Sequence, residues 1–111
     1  MLTREKSIVE ELAEKLSANR HIVRIIAFGS RVRGDFRGDS DLDLLIIVDR
    51  KDRTIKDFIV TMIYDYELSM DISLSPTVLS LHELEVNRKL GSPFLKSIDA
   101  EGMILYDADR T

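Results

Sequence analysis

The chain has 111 residues, 44% hydrophobic and 32% charged, with a formal net charge of −4. That balance predicts one domain over residues 1–111, with a single core and no room for a second substrate-binding domain. Cysteine is absent, which excludes a disulfide framework and thiolate metal sites and fits a reducing, cytoplasmic compartment. No apolar run approaches the ~20 residues of a membrane span, and the start, Met1-Leu2-Thr3-Arg4-Glu5-Lys6, is too charged for a signal sequence. The acidic balance argues against direct nucleic-acid binding.

Residues 3–19 place Ile8, Val9, Leu12, Ala13 and Leu16 on one helical face, with Glu11 and Lys15 paired outside it. Residues 22–28 and 42–48 are dense in β-branched and apolar types and read as strands of a buried sheet. Between them, Gly29 marks the end of the first strand, and Ser30 is placed to cap a short helix over residues 31–36. A charged loop, residues 49–53, leads to a helix over 54–66, where Ile55, Phe58, Ile59, Met62, Ile63 and Tyr66 recur at helical spacing. Residues 67–75 alternate, with Leu68, Met70, Ile72 and Leu74 on one face, and predict a third, half-buried strand. A helix is expected over 77–90, although Leu79, Leu81, Leu84, Val86 and Leu90 fit no single period. Ser92-Pro93 opens a last helix, which Gly102 ends before a strand over 103–106. The succession predicts an α+β fold, a mixed sheet of about four strands packed against helices. His21 and His82 are isolated, and the methionines belong to the core.

Two features carry chemistry. Asp41 and Asp43 stand at the head of the apolar run Leu44-Leu45-Ile46-Ile47-Val48, and strand alternation turns both to one face, roughly 7 Å apart along the strand. Two carboxylates so placed can share one or two metal ions. The Gly29-Ser30 turn lies one short connection away, and a glycine turn opening a helix offers backbone N–H groups to phosphate. Alone, an Asp-x-Asp is most often helix-capping chemistry and Gly-Ser an ordinary turn; ordinary charged loops do not put both at the ends of adjacent buried strands. Asp71, on the polar side of the predicted third strand, is an acid where β-propensity disfavours one, and it reads either as a functional carboxylate or as an edge-strand charge that blocks unwanted pairing. Glu67 is the next candidate. The basic residues Arg31, Arg33 and Arg37 beside the turn read equally as help for a triphosphate or as a solvated helix face.

The pattern Gly29-Ser30, ten residues, Asp41-x-Asp43, with Arg31, Arg33-Gly34-Asp35 and Ser40 inside the spacer, resembles the signature of the minimal nucleotidyltransferases of the DNA polymerase β superfamily. Ser92-Pro93-Phe94 and Glu101-Gly102-Met103-Ile104-Leu105-Tyr106 are similar to the closing helix and strand of such proteins. The resemblance implies a two-metal mechanism. Gly29 and Ser30 would hold the β- and γ-phosphates of ATP, and Asp41 and Asp43 would hold two Mg²⁺ ions. Asp71 would share one metal and orient the nucleophile. The reaction it implies is transfer of AMP to a hydroxyl, with pyrophosphate leaving. Stand-alone members are often paired with a HEPN-type protein, which implies an antitoxin that adenylylates a tyrosine of that partner. Competing readings are a binding module that senses nucleotide or neutralises its partner by docking alone, and a transferase acting on a small molecule. Self-association is left open.

Overall fold

The computed structural model describes residues 1–34 and 41–110. β1 (Ile22–Phe28) runs antiparallel to both β2 (Leu42–Val48) and β4 (Met103–Asp107), while β2 runs parallel to β3 (Leu74–Ser80). The sheet order is β3-β2-β1-β4, the mixed α+β arrangement expected. Helices cover both faces. α1 (Thr3–Ser17) and α3 (Arg53–Met70) pack on Leu42, Leu44, Ile46 and Val48. α4 (Leu81–Lys89) and α5 (Pro93–Glu101) meet Leu45 and Ile47 on the opposite face, together with Ile26 of β1. A strand buried on both sides has no polar face to alternate with, which is why β2 reads as a continuous apolar run. The parallel β2–β3 pair needs a long crossover, and α3 supplies it.

α1 buries the five apolar residues its periodicity selects and carries the expected Glu11–Lys15 pair at 3.3 Å. The short helix after β1, α2 (Ser30–Arg33), begins one residue earlier than expected. Gly29 is its N-cap, with φ +89° and ψ −167°, and Ser30 is already helical, so the serine side chain is not the cap. Gly34, left-handed at φ +83°, closes the helix. Asp35 and Phe36, the rest of the segment expected to be helical, lie outside the described residues, as do Arg37 and Ser40.

The region 67–80 departs from expectation. α3 does not stop at Tyr66 but continues to Met70, because Ile55, Ile59, Ile63, Tyr66 and Met70 form one stripe against the core. Leu68 is exposed rather than turned inward. The third strand therefore occupies Leu74–Ser80, not 67–75, and it takes in residues 77–80, which had been expected to open a helix. Asp71 is not on a strand. It is the C-cap of α3, left-handed at φ 50° and ψ 53°, a conformation that Asp and Asn tolerate better than other side chains. Glu67 is helical, and its carboxylate accepts the Leu74 N–H at 3.1 Å, tying the end of α3 to the start of β3. α4 begins with a capping box in which Ser80 and Glu83 satisfy each other's backbone N–H groups at 3.1 and 3.0 Å. Ser92 caps α5 with Pro93 at its first position, and Gly102 ends it, both as expected.

Candidate active site

The β1–β2 register brings the two sequence features together. Phe28 pairs with Asp43 across the strands, so the Gly29-Ser30 turn leaves β1 beside the acids. The approach is close: a Cβ on Gly29 would collide with the Asp43 carboxylate, its Oδ2 nearest and its Cγ at 3.2 Å. Only a residue without a side chain lets the backbone lie against that carboxylate.

Asp43 is half-buried within β2, on the Leu45 and Ile47 side of the sheet; Asp41, just before the strand, is exposed. Burial, reinforced by the Asp41 carboxylate, pushes the Asp43 carboxyl above its ordinary value, and Arg33 pulls more weakly the other way. Negative charge here is thus under-compensated by the protein. On the other side of β2, the Ser73 hydroxyl donates to Asp41 Oδ1 at 2.5 Å, and the Ser73 carbonyl accepts the Leu42 N–H at 2.9 Å. The β3 residue level with Asp43 is Ser75. The donors gathered here are carboxylate and hydroxyl oxygens, the hard set that suits Mg²⁺, and the repulsion that raises Asp43 is what a bound cation would relieve. The residues present therefore fit a magnesium ion.

Asp71 lies beyond Ser73, the hydrogen-bond partner of Asp41, at the end of α3. It lines a cleft of about 480 Å³ with Arg31, Glu5 and Ser73. Among the described residues no three acids or histidines come together to hold a metal, so the expected trio of Asp41, Asp43 and Asp71 is not assembled. Ser73, just before β3, bonds to Asp41, and Ser75 within β3 is level with Asp43; sequence reasoning missed them because it placed the strand too early. The Ser80-x-x-Glu83 capping signature would have fixed the strand end and set Ser75 opposite Asp43.

The basic residues have protein partners. Arg31 reaches from α2 to Glu5 of α1 at 2.5 Å, and the two side chains are only 13% and 7% exposed. Arg33 meets Glu101 at the end of α5 at 3.3 Å. Arg31 therefore fastens the helix that follows the Gly29-Ser30 turn to the first helix. Arg37 lies outside the described residues.

Comparison with known proteins gives the family and the fold. The family model described as Polymerase beta, Nucleotidyltransferase matches residues 10–111. A Methanocaldococcus jannaschii protein, MJ0604, provisionally named a protein adenylyltransferase, is 30% identical over 106 residues, covering 95% of this chain and all of that one. Among solved structures, a chain of a toxin–antitoxin complex with AMP-PNP superposes with a TM-score of 0.58 at 17% identity, over 88% of this chain and 73% of that chain. A chain of the tri-AMPylated Shewanella oneidensis HEPN toxin in complex with its MNT antitoxin gives 0.52 at 15% identity, over 91% and 71%. At those identities the two structures speak to the fold. With the family match and the 30% identical relative, the chain belongs to the polymerase β-type nucleotidyltransferases.

Proposed function

We propose that this chain transfers AMP from ATP to a tyrosine hydroxyl of a HEPN-type partner protein and thereby acts as its antitoxin. The observation that carries the reading is the Gly29 backbone lying directly against the Asp43 carboxylate, with Asp41 two residues before it. Phosphate held by the backbone at Gly29 and Ser30 would sit next to the two acids. Asp41 and Asp43 would hold Mg²⁺, which when bound neutralises phosphate charge. The tyrosine oxygen attacks the α-phosphorus, the bond to the β-phosphate oxygen breaks, pyrophosphate leaves and the hydroxyl proton passes to solvent. The chain's contribution is placement: the turn fixes the triphosphate, and Ser73 orients Asp41 through its 2.5 Å hydrogen bond. Asp71 lies outside the acid pair and is not needed for it.

The relative named as a protein adenylyltransferase supports the transferred group and the protein acceptor. The neighbour solved with AMP-PNP and the one solved with an AMPylated HEPN toxin support the nucleotide and the kind of partner. Val60, Tyr64 and Leu68, four residues apart on α3 and all exposed, form an apolar stripe suited to a protein partner. Co-expression with the protein encoded beside it, followed by intact-mass measurement, tests the reading. The partner should gain one or more increments of roughly 330 Da, the adenylyl group. Asp43→Asn should abolish the gain while the pair still co-purifies, and Asp71→Asn should keep it. A complex whose partner gains no mass with ATP and Mg²⁺ supplied would establish neutralisation by docking instead.

A further inference from the structure

The acid pair and the turn account for one end of a nucleotide. The other end has a candidate surface on the same side of the sheet. Phe28 is the last residue of β1 and the cross-strand partner of Asp43, and such partners share a face with their Cβ atoms about 5 Å apart. Phe28 packs with Leu45, Ile47 and the α5 residues Leu95 and Ile98. The ring of Phe94, the second residue of α5, stands edge-on to the Phe28 ring, centroids 5.3 Å apart and planes at 83°. Core burial does not explain Phe94. Leu95 and Ile98 are 2% and 4% exposed, whereas Phe94 is 39% exposed. Its position is nevertheless fixed, since Ser92 caps α5 and Pro93 locks the backbone at the first helical residue. A partly bare aromatic ring packed on Phe28, the cross-strand partner of Asp43, is a surface for another flat ring.

We propose that Phe94, braced by Phe28, is the platform on which the nucleobase of the bound nucleoside triphosphate stacks. The inference rests on the nucleotide-transfer reading and adds the base subsite to it. Stacking uses the π-face that every base has, so this subsite takes nucleoside triphosphates with little discrimination by base.

Calorimetry on the purified chain with Mg²⁺, using ATP and inorganic tripolyphosphate as the two probes, tests it. Phe94→Ala should weaken ATP about tenfold, equivalent to about 1.4 kcal/mol, and leave tripolyphosphate unchanged. Phe94→Leu keeps apolar bulk over Phe28 but removes the flat face, so it should match the alanine variant for ATP while melting like wild type; Phe94→Tyr should restore binding. ATP affinity unchanged in Phe94→Leu, or equal losses for both probes, would overturn the proposal and leave nucleotide transfer standing. Wild-type protein that binds neither probe would overturn both.

Discussion

Replacing Gly29 by alanine isolates the contact on which the site depends, because the fold contains its own control. Gly29 and Gly34 bracket α2 and both have positive φ, +89° and +83°, so alanine strains the backbone at either. Gly29, at ψ −167°, occupies a region open essentially to glycine alone, and the strain there is about 1–3 kcal/mol. The left-handed Gly34, at ψ 7°, implies about 1–2 kcal/mol. Both variants should melt several degrees lower, given about 4–8 °C per kcal/mol for domains near this size. What surrounds the new methyl group separates them. At position 34 it meets nothing within 4 Å among the described residues, whereas at position 29 it falls on Asp43 Oδ2 with Cγ at 3.2 Å. The carboxylate must swing away or the strand end must part from the turn, and a misplacement of about 1 Å at a reacting centre can cost on the order of 100-fold. Gly29→Ala should therefore lose adenylyl transfer about 100-fold, and Gly34→Ala should keep most of it. Rates from partner mass gain, read beside thermal melts, decide the matter. Equal loss in the two variants would mean that strain in the turn, not the Gly29–Asp43 contact, governs activity, and full activity in Gly29→Ala would refute the site.

Two further outcomes concern the scaffold. Glu5→Gln removes the charge that the nearly buried Arg31 faces, and breaking such a pair from one side should cost about 3 kcal/mol in urea unfolding; an unchanged midpoint would show that Arg31 is held by its other contacts. The carboxyls of Asp49, Glu83 and Asp99 are each held below their ordinary values, chiefly by hydrogen bonds from His21, Lys51 and Arg88 respectively. A depressed folded-state pKa stabilises above the unfolded value and is lost as pH falls through the folded one, so the melting temperature should decline from about pH 4.5 downward. The triple variant Asp49→Asn, Glu83→Gln, Asp99→Asn should decline less steeply, and an identical slope would assign acid sensitivity elsewhere.

Much of this arrangement is legible in the chain because local chemistry and burial agree. The run at 44–48 is apolar throughout since both sheet faces are covered, and the Ser92-Pro93 start and Gly102 end of α5 are punctuation that tertiary contacts had no cause to override. Residues 67–75 were misread for a definite reason. Leu68 and Met70 alternate by coincidence at the end of a helix, Ile72 and Leu74 lead into a strand, and four apolar residues at period two do not reveal a boundary between them. The helical stripe ending at Met70 outweighs that alternation because it joins a face already buried from Ile55 onward. The role of Arg31 could not be read, since its partner Glu5 is 26 positions away and nothing local marks either residue for burial.

The placement of β3 determines what can reach the acids. β2 and β3 are held in register by seven successive pairs, from Leu42 with Leu74 to Val48 with Ser80, and this fixes Ser75 beside Asp43. Asp71 precedes Ser75 by four residues, roughly 13 Å of extended chain, and it turns off into the left-handed end of α3 before it could run level with Asp41. Sliding β3 to bring it closer would have to proceed in steps of two to keep Leu74 inward, and each step would break the Ser73 hydrogen bond to Asp41 and the Glu67 cap on Leu74. Ser73 and Ser75 are therefore the residues that the chain sets beside Asp41 and Asp43. They add no negative charge to a pair in which burial, reinforced by the Asp41 carboxylate, already raises Asp43. A metal held here would depend on Asp41 and Asp43 for all its anionic ligands from the described residues, which is why loss of either carboxylate should weigh so much more than loss of Asp71.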